Sequence, residues 1–246
     1  MKLLHILLVP MVASVPVPTG PQVQYQQSEI VGMISWNMFT YQDDNYGLGC
    51  NEDNWNNKLE MNAGPLSDPM TFNPAKLDID NWIESFKDAG IAAATLTAKH
   101  CCGFTLWPTK ATFDDGTPYG YDVSNSQSPT ADIVKEFAEK MRNAGLGVSI
   151  YYSLAYNFFL NAGLEVNDPS TLIPNQRNVT QAEYQRIGAY QLEELWSSYG
   201  DLFEIWFDGG YSGEMKEDVS NLLRKVSEGE EADSAWENSC ITRILL

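Results

Sequence analysis

Basic residues and histidine are scarce in this chain. Its 246 residues hold 15 Lys and Arg against 33 Asp and Glu, with two histidines and a net charge of −18. That excess of negative charge argues against nucleic acid and against an anionic membrane as partners, because both would repel it. It suits a soluble protein working outside the cell or in an acidic compartment. Cysteine is equally limited, and Cys50, Cys101, Cys102 and Cys240 follow no zinc-binding spacing. In an oxidising compartment Cys50 can pair with Cys101 or Cys102, or those two can join as a vicinal disulfide. No Gly-x-Gly-x-x-Gly run opens a helix, which counts against a doubly wound nucleotide-binding sheet. The apolar run near the N-terminus is too short to span a bilayer as a helix.

That N-terminal run reads instead as a signal peptide over residues 1–18. Lys2 is followed by Leu3-Leu4-His5-Ile6-Leu7-Leu8-Val9 and then by the small residues Val12-Ala13-Ser14. The prolines at 10, 16 and 18 leave the cleavage point open. Asn178-Val179-Thr180 is an N-glycosylation sequon, in keeping with a secreted, extracellular protein. The chain, 43% hydrophobic over its 246 residues, is long enough to bury a full core.

Strand-like apolar runs fall at residues 30–36, 91–97, 146–152 and 202–207. Amphipathic helical stretches alternate with them. Ile79, Trp82, Ile83 and Phe86 line one helical face; Ile133, Val134, Phe137 and Met141 line a second. Leu192, Leu195, Trp196 and Tyr199 line a third, and residues 212–226 form a fourth helix with Leu222 and Leu223 as core contacts. Ser128-Pro129 predicts the N-terminus of the second helix, and the capping box Thr180-Gln181-Ala182-Glu183 that of the third. Gly90, Gly145 and Gly200, equally spaced at intervals of 55 residues, each stop a helix and lead at once into a strand. Short αβ turns with long βα loops mark part of a (β/α)8 TIM-like barrel, an α/β fold whose working face lies at the strand C-termini. About four βα units are recognisable over residues 19–226. Beyond them, residues 227–246 hold an acidic patch and a short apolar tail with no fifth unit, so a truncated chain is expected.

Candidate chemistry collects at the strand ends. Asp208 closes the fourth run and precedes Gly209-Gly210. Period-2 alternation puts it on one face with Glu204 and Trp206, opposite Phe203, Ile205 and Phe207. An indole beside a carboxylate suits a sugar, because the ring covers C–H faces while the carboxylate meets an electron-poor carbon. His100 follows the second strand, Tyr151-Tyr152-Ser153 ends the third, and Ser35-Trp36-Asn37 ends the first. The long loop 41–74, with Trp55, is a further site element. Carboxylates and aromatics without a dense histidine–carboxylate cluster point to glycoside chemistry rather than to a metal.

The motifs Phe72-Asn73-Pro74, Leu96-Thr97-Ala98-Lys99-His100, Gly103-Phe104-Thr105-Leu106-Trp107-Pro108, Tyr151-Tyr152-Ser153 and Glu204-Ile205-Trp206-Phe207-Asp208-Gly209 resemble successive signatures of the α-L-fucosidases, glycoside hydrolase family 29. The resemblance implies a retaining exo-glycosidase built on a (β/α)8-like barrel followed by a β-sandwich, acting on fucosylated oligosaccharides or glycoconjugates without a cofactor. It assigns Asp208 as nucleophile and Trp206, Tyr151 and His100 as groups that contact the fucose. Two signatures depart from the family. Cys101 stands where many members have a second sugar-binding histidine, and Ser35-Trp36-Asn37 stands where many have His-Trp-Gly. The family's acid/base lies beyond the nucleophile strand, past the point where the βα pattern fails, so a catalytically incomplete chain is expected. A non-catalytic fucose-binding barrel is the alternative.

Overall fold

A computed structural model describes residues 17–18, 20–41, 66–163, 165–210, 213 and 215–228. Most of the leader, Cys50, Trp55 and the tail with Cys240 lie outside the described residues.

Strands β1 (Val31–Ile34), β2 (Ala93–Lys99), β3 (Gly147–Ser153) and β4 (Glu204–Asp208) form one parallel sheet in the order β1-β2-β3-β4. That order carries no reversal, so each crossover advances in the same direction, as in a barrel; a doubly wound sheet switches direction. Helix α1 (Gly20–Gln27) precedes β1. Helices α2 (Ile79–Asp88), α3 (Ile133–Asn143), α4 (Gln181–Ser197) and α5 (Met215–Glu228) alternate with the strands. The structure thus contains part of an α/β barrel.

Strand edges shift from the sequence expectation in ways that matter for the site. β1 stops at Ile34, leaving Ser35 and Trp36 in the loop. β2 runs on to Lys99 through a register shift between Thr97 and Lys99. β4 ends at Asp208, which pairs in register with Ser153.

Helix starts follow local hydrogen-bond chemistry. Asp78 Oδ1 accepts from Asn81 N at 3.0 Å and Thr180 Oγ1 from Glu183 N at 3.1 Å, supplying a partner to a first-turn amide. Glu183 reaches outward from its capping box and accepts from Asp114 N at 2.7 Å. The second expected cap is corrected: α3 begins at Ile133 under Asp132, whose Oδ1 accepts from Lys135 N at 2.8 Å. Ser128 lies upstream and accepts from Thr130 N across its own short turn. An aspartate there competes successfully with Ser-Pro because the apolar stripe Ile133, Val134, Phe137 and Met141, fully buried, sets where the helix meets the sheet. Tyr199 lies past the end of α4, and its phenol donates to Asp132 Oδ2 at 3.1 Å. The glycines at 90, 145 and 200 take φ of 70°, 74° and 72°, the left-handed turn that brings each helix back to the sheet.

The two sheet faces divide as alternation requires. Ile205 and Phe207 are buried beneath the helices, with Phe207 against Trp196 of α4 at a centroid distance of 6.1 Å. Glu204, Trp206 and Asp208 project from the opposite face. At the N-terminal end of β4, Tyr25 of α1 stacks on Phe203 at 5.3 Å and donates to Glu204 Oε1 at 3.1 Å. The chemistry therefore lies at the other end.

Candidate active site

A row of rings crosses the C-terminal rim of the sheet. Phe39, in the 3-10 turn Met38–Tyr41 after β1, lies 5.7 Å from His100. His100 stacks on Tyr151 at 5.7 Å and 16°, and Tyr151 meets Trp206 edge-on at 5.5 Å. Tyr151 and Trp206 are register partners on β3 and β4, so the sheet itself aligns them. Tyr152 points the other way and donates to Gln191 Oε1 of α4 at 2.8 Å. Alternation on β3 thus selects Tyr151 for the site.

Tyr151 Oη donates to Asp208 Oδ2 at 2.6 Å. That bond fixes the orientation of the carboxylate. Asp208 is solvent-exposed, whereas Tyr151 is buried. The phenol therefore holds one carboxylate oxygen, Oδ2. Among the described residues, no group of three or more His, Cys, Asp or Glu is placed to hold a metal ion.

The backbone around Asp208 is tightly fixed. Its carbonyl accepts from Leu154 N at 3.1 Å and Ala155 N at 3.2 Å. Gly209 follows at φ 81°, and a Cβ there would lie 2.3 Å from Ala155 Cβ. Only glycine allows both that turn and that approach.

Several expected site residues occupy other positions. Cys101 is buried with its Sγ 3.1 Å from His100 Nδ1, so it meets the imidazole directly. It is a thiol, whereas Cys102 is disulfide-bonded, with a partner outside the described residues; the vicinal disulfide is thereby excluded. Trp36 packs among Phe72 at 5.1 Å, Trp82 of α2 at 5.6 Å and Tyr41 at 6.2 Å. That aromatic cluster ties the first loop to α2, and Ser35 is exposed. Trp55 falls outside the described residues. Asn178 is exposed just ahead of the Thr180 cap.

Phe39 and Lys99 belong to the site region but carried no functional weight in the sequence. Lys99 is a lone cation at the end of an otherwise buried, cation-free strand, and that isolation was a usable signal.

A parallel barrel sheet with a carboxylate and a ring-lined rim at its strand C-termini places the chain in the class of (β/α)-barrel proteins with a candidate site at that rim. Comparison with known proteins narrows that class. The α-L-fucosidase family model matches residues 19–242. Alpha-L-fucosidase 1 of Arabidopsis thaliana is 27% identical over 210 residues, covering 83% of this chain and 33% of the plant protein. A crystal structure of a putative alpha-L-fucosidase from Bacteroides thetaiotaomicron superposes with a TM-score of 0.65 at 27% identity, over 86% of this chain and 45% of that one. Alpha-L-fucosidase AlfC from Lactobacillus casei, solved in complex with its α-L-fucose product, shares the fold at a TM-score of 0.59 and 22% identity, over 85% and 67% of the two chains. The chain belongs to the α-L-fucosidase family. It spans about a third of the length of the curated plant relatives it matches.

Proposed function

We propose that this chain carries the nucleophile half of a retaining exo-α-L-fucosidase acting on fucosylated glycans. The observation that supports this most is the Tyr151–Asp208 hydrogen bond at the end of the ring row, because it presents one oriented carboxylate oxygen beside sugar-binding surfaces. Asp208 Oδ1 attacks the anomeric carbon as the bond to the leaving oxygen breaks, and a carboxylic acid elsewhere protonates that oxygen. Water then attacks the same carbon, gives its proton to that second carboxylate, and releases Asp208. His100 binds a sugar hydroxyl, with Cys101 behind it at Nδ1. Trp206 covers the ring or its C6 methyl and excludes water. The protein is secreted, its leader removed and Asn178 glycosylated.

Aryl fucosides with a strongly acidic phenol leave without protonation, so they report on Asp208 alone. Asp208→Ala should abolish their turnover, and azide should restore it as fucosyl azide of inverted anomeric configuration. Full turnover by Asp208→Ala without azide would remove the assignment. Retained L-fucose binding without any turnover in the unmodified chain would instead favour a sugar-binding barrel.

A further inference from the structure

Lys99 is buried at 1% exposure, and among the described residues no ion pair joins it to a carboxylate. Its Nζ donates to the carbonyl of Ser153 in a very short contact and to that of Tyr156 at 3.1 Å. It also sits over the Tyr152 ring, 4.2 Å from the centroid. Both carbonyls bracket Leu154 and Ala155, whose amides donate to the Asp208 carbonyl. Ser153 is the register partner of Asp208, and a Cβ on Gly209 would meet Ala155 at 2.3 Å, so the bracketed turn is the surface on which the Asp208–Gly209 backbone rests. A further bond holds the turn from α4, where Tyr184 Oη donates to Leu154 O at 2.5 Å.

We infer that Lys99 is a positioning residue for Asp208: its ammonium gathers the Ser153 and Tyr156 carbonyls and so aims the Leu154 and Ala155 amides at the carboxylate's own backbone. The inference takes Asp208 as the reacting group from the proposed function, but the clamp itself is a property of the fold. Hydrogen bonds from a charged donor are about twice as strong as neutral ones. Protonated Lys99 therefore closes the turn more firmly than the free amine. Burial pulls its pKa down to about 7, with the nearby Cys101 opposing that fall, so the clamp changes strength near neutral pH. The titratable groups facing it are Cys101 on the turn after β2 and Tyr152 on β3. Tyr184 of α4 and Asp208 of β4 reach it only through the turn. Tyr152 and Tyr184 titrate well above this range, because burial raises both phenols.

The test follows the Lys99 13Cε signal and the Leu154 and Ala155 amide resonances of the 246-residue chain between pH 5.5 and 9. A shared midpoint near neutrality is expected. Lys99→Met should abolish the amide titration, and it should weaken L-fucose binding at pH 6 by about tenfold, the loss expected for a charge-assisted bond. Lys99→Arg should restore part of that affinity. Amides that do not follow Lys99 in the unmodified chain would overturn the inference, even if the variants fail to fold. So would a folded Lys99→Met whose amides still titrate. Amides that follow Lys99 in a chain without affinity for L-fucose would sustain the clamp and overturn the fucosidase assignment instead.

Discussion

Tyr151 and Asp208 are joined by a 2.6 Å hydrogen bond between adjacent parallel strands, phenol to carboxylate Oδ2. The bond ties the carboxylate's orientation to the register of β3 and β4, which pair Tyr151 with Trp206 and Ser153 with Asp208. Tyr151→Phe keeps the ring contacts with His100 and Trp206 and removes only this donor. Turnover of an activated aryl fucoside should fall 10- to 100-fold, about 1.4–2.7 kcal/mol of transition-state stabilisation. Unchanged turnover by Tyr151→Phe would show that the phenol does not orient Asp208.

Trp36 and Trp206 separate stability from recognition. Trp36 sits in the Phe72, Trp82 and Tyr41 cluster, so Trp36→Ala should cost about 3 kcal/mol of stability and leave the L-fucose dissociation constant within about twofold. Trp206 is half-buried on the site face, and Trp206→Ala should weaken binding about tenfold, the scale of one lost ring–sugar contact. Calorimetric titration and urea unfolding of both variants measure this directly. The opposite pattern would return Trp36 to the binding site.

Gly209→Ala should destabilise the protein by about 2–4 kcal/mol, because the added Cβ meets Ala155 in a left-handed backbone. The damage should extend to function, since relief requires the Leu154–Ala155 turn to move away from the Asp208 carbonyl. Thermal unfolding together with turnover checks both. A variant of normal stability and activity would mean the turn is compliant.

Much of this fold was legible because its signals are periodic. The three helix-ending glycines, the apolar stripe of α3 and the alternation of β4 each state a face or a boundary directly. Strand ends in a parallel barrel converge on one rim, so Asp208 and His100 could be placed there from the sequence, whereas the choice of Tyr151 over Tyr152 came with the family resemblance. The Ser128-Pro129 cap misled because two plausible caps lie four residues apart, and burial of Ile133 and Val134 chose between them. The surroundings of Trp36 were not legible for a related reason: with β1 ending at Ile34, the chain turns and sends the indole toward α2. Cys101 contacting its own neighbour His100, and Lys99 holding carbonyls from β3, depend on distances that no spacing rule contains.

The pH dependence of stability isolates Lys99. Its ammonium has a pKa of about 7 in the fold and 10.5 when unperturbed, with burial the main cause and Cys101 acting against it. Between those values the unfolded chain holds a proton that the folded chain has released. The resulting contribution to stability therefore rises with pH across this window, by at most about 1.4 kcal/mol per pH unit. Urea unfolding at pH 7, 8 and 9 should show the native chain gaining stability relative to Lys99→Met. A difference independent of pH would place the Lys99 titration elsewhere.

The proposed role of Asp208 as nucleophile is most directly tested by mass spectrometry after incubation with 2-deoxy-2-fluoro-L-fucosyl fluoride, whose leaving group needs no acid and whose 2-fluoro substituent slows hydrolysis of the covalent product. A single deoxyfluorofucosyl adduct on the peptide containing Asp208, prevented by excess L-fucose, is the expected result. An unlabelled protein that nevertheless binds L-fucose, or an adduct on any other carboxylate, would contradict the assignment of Asp208.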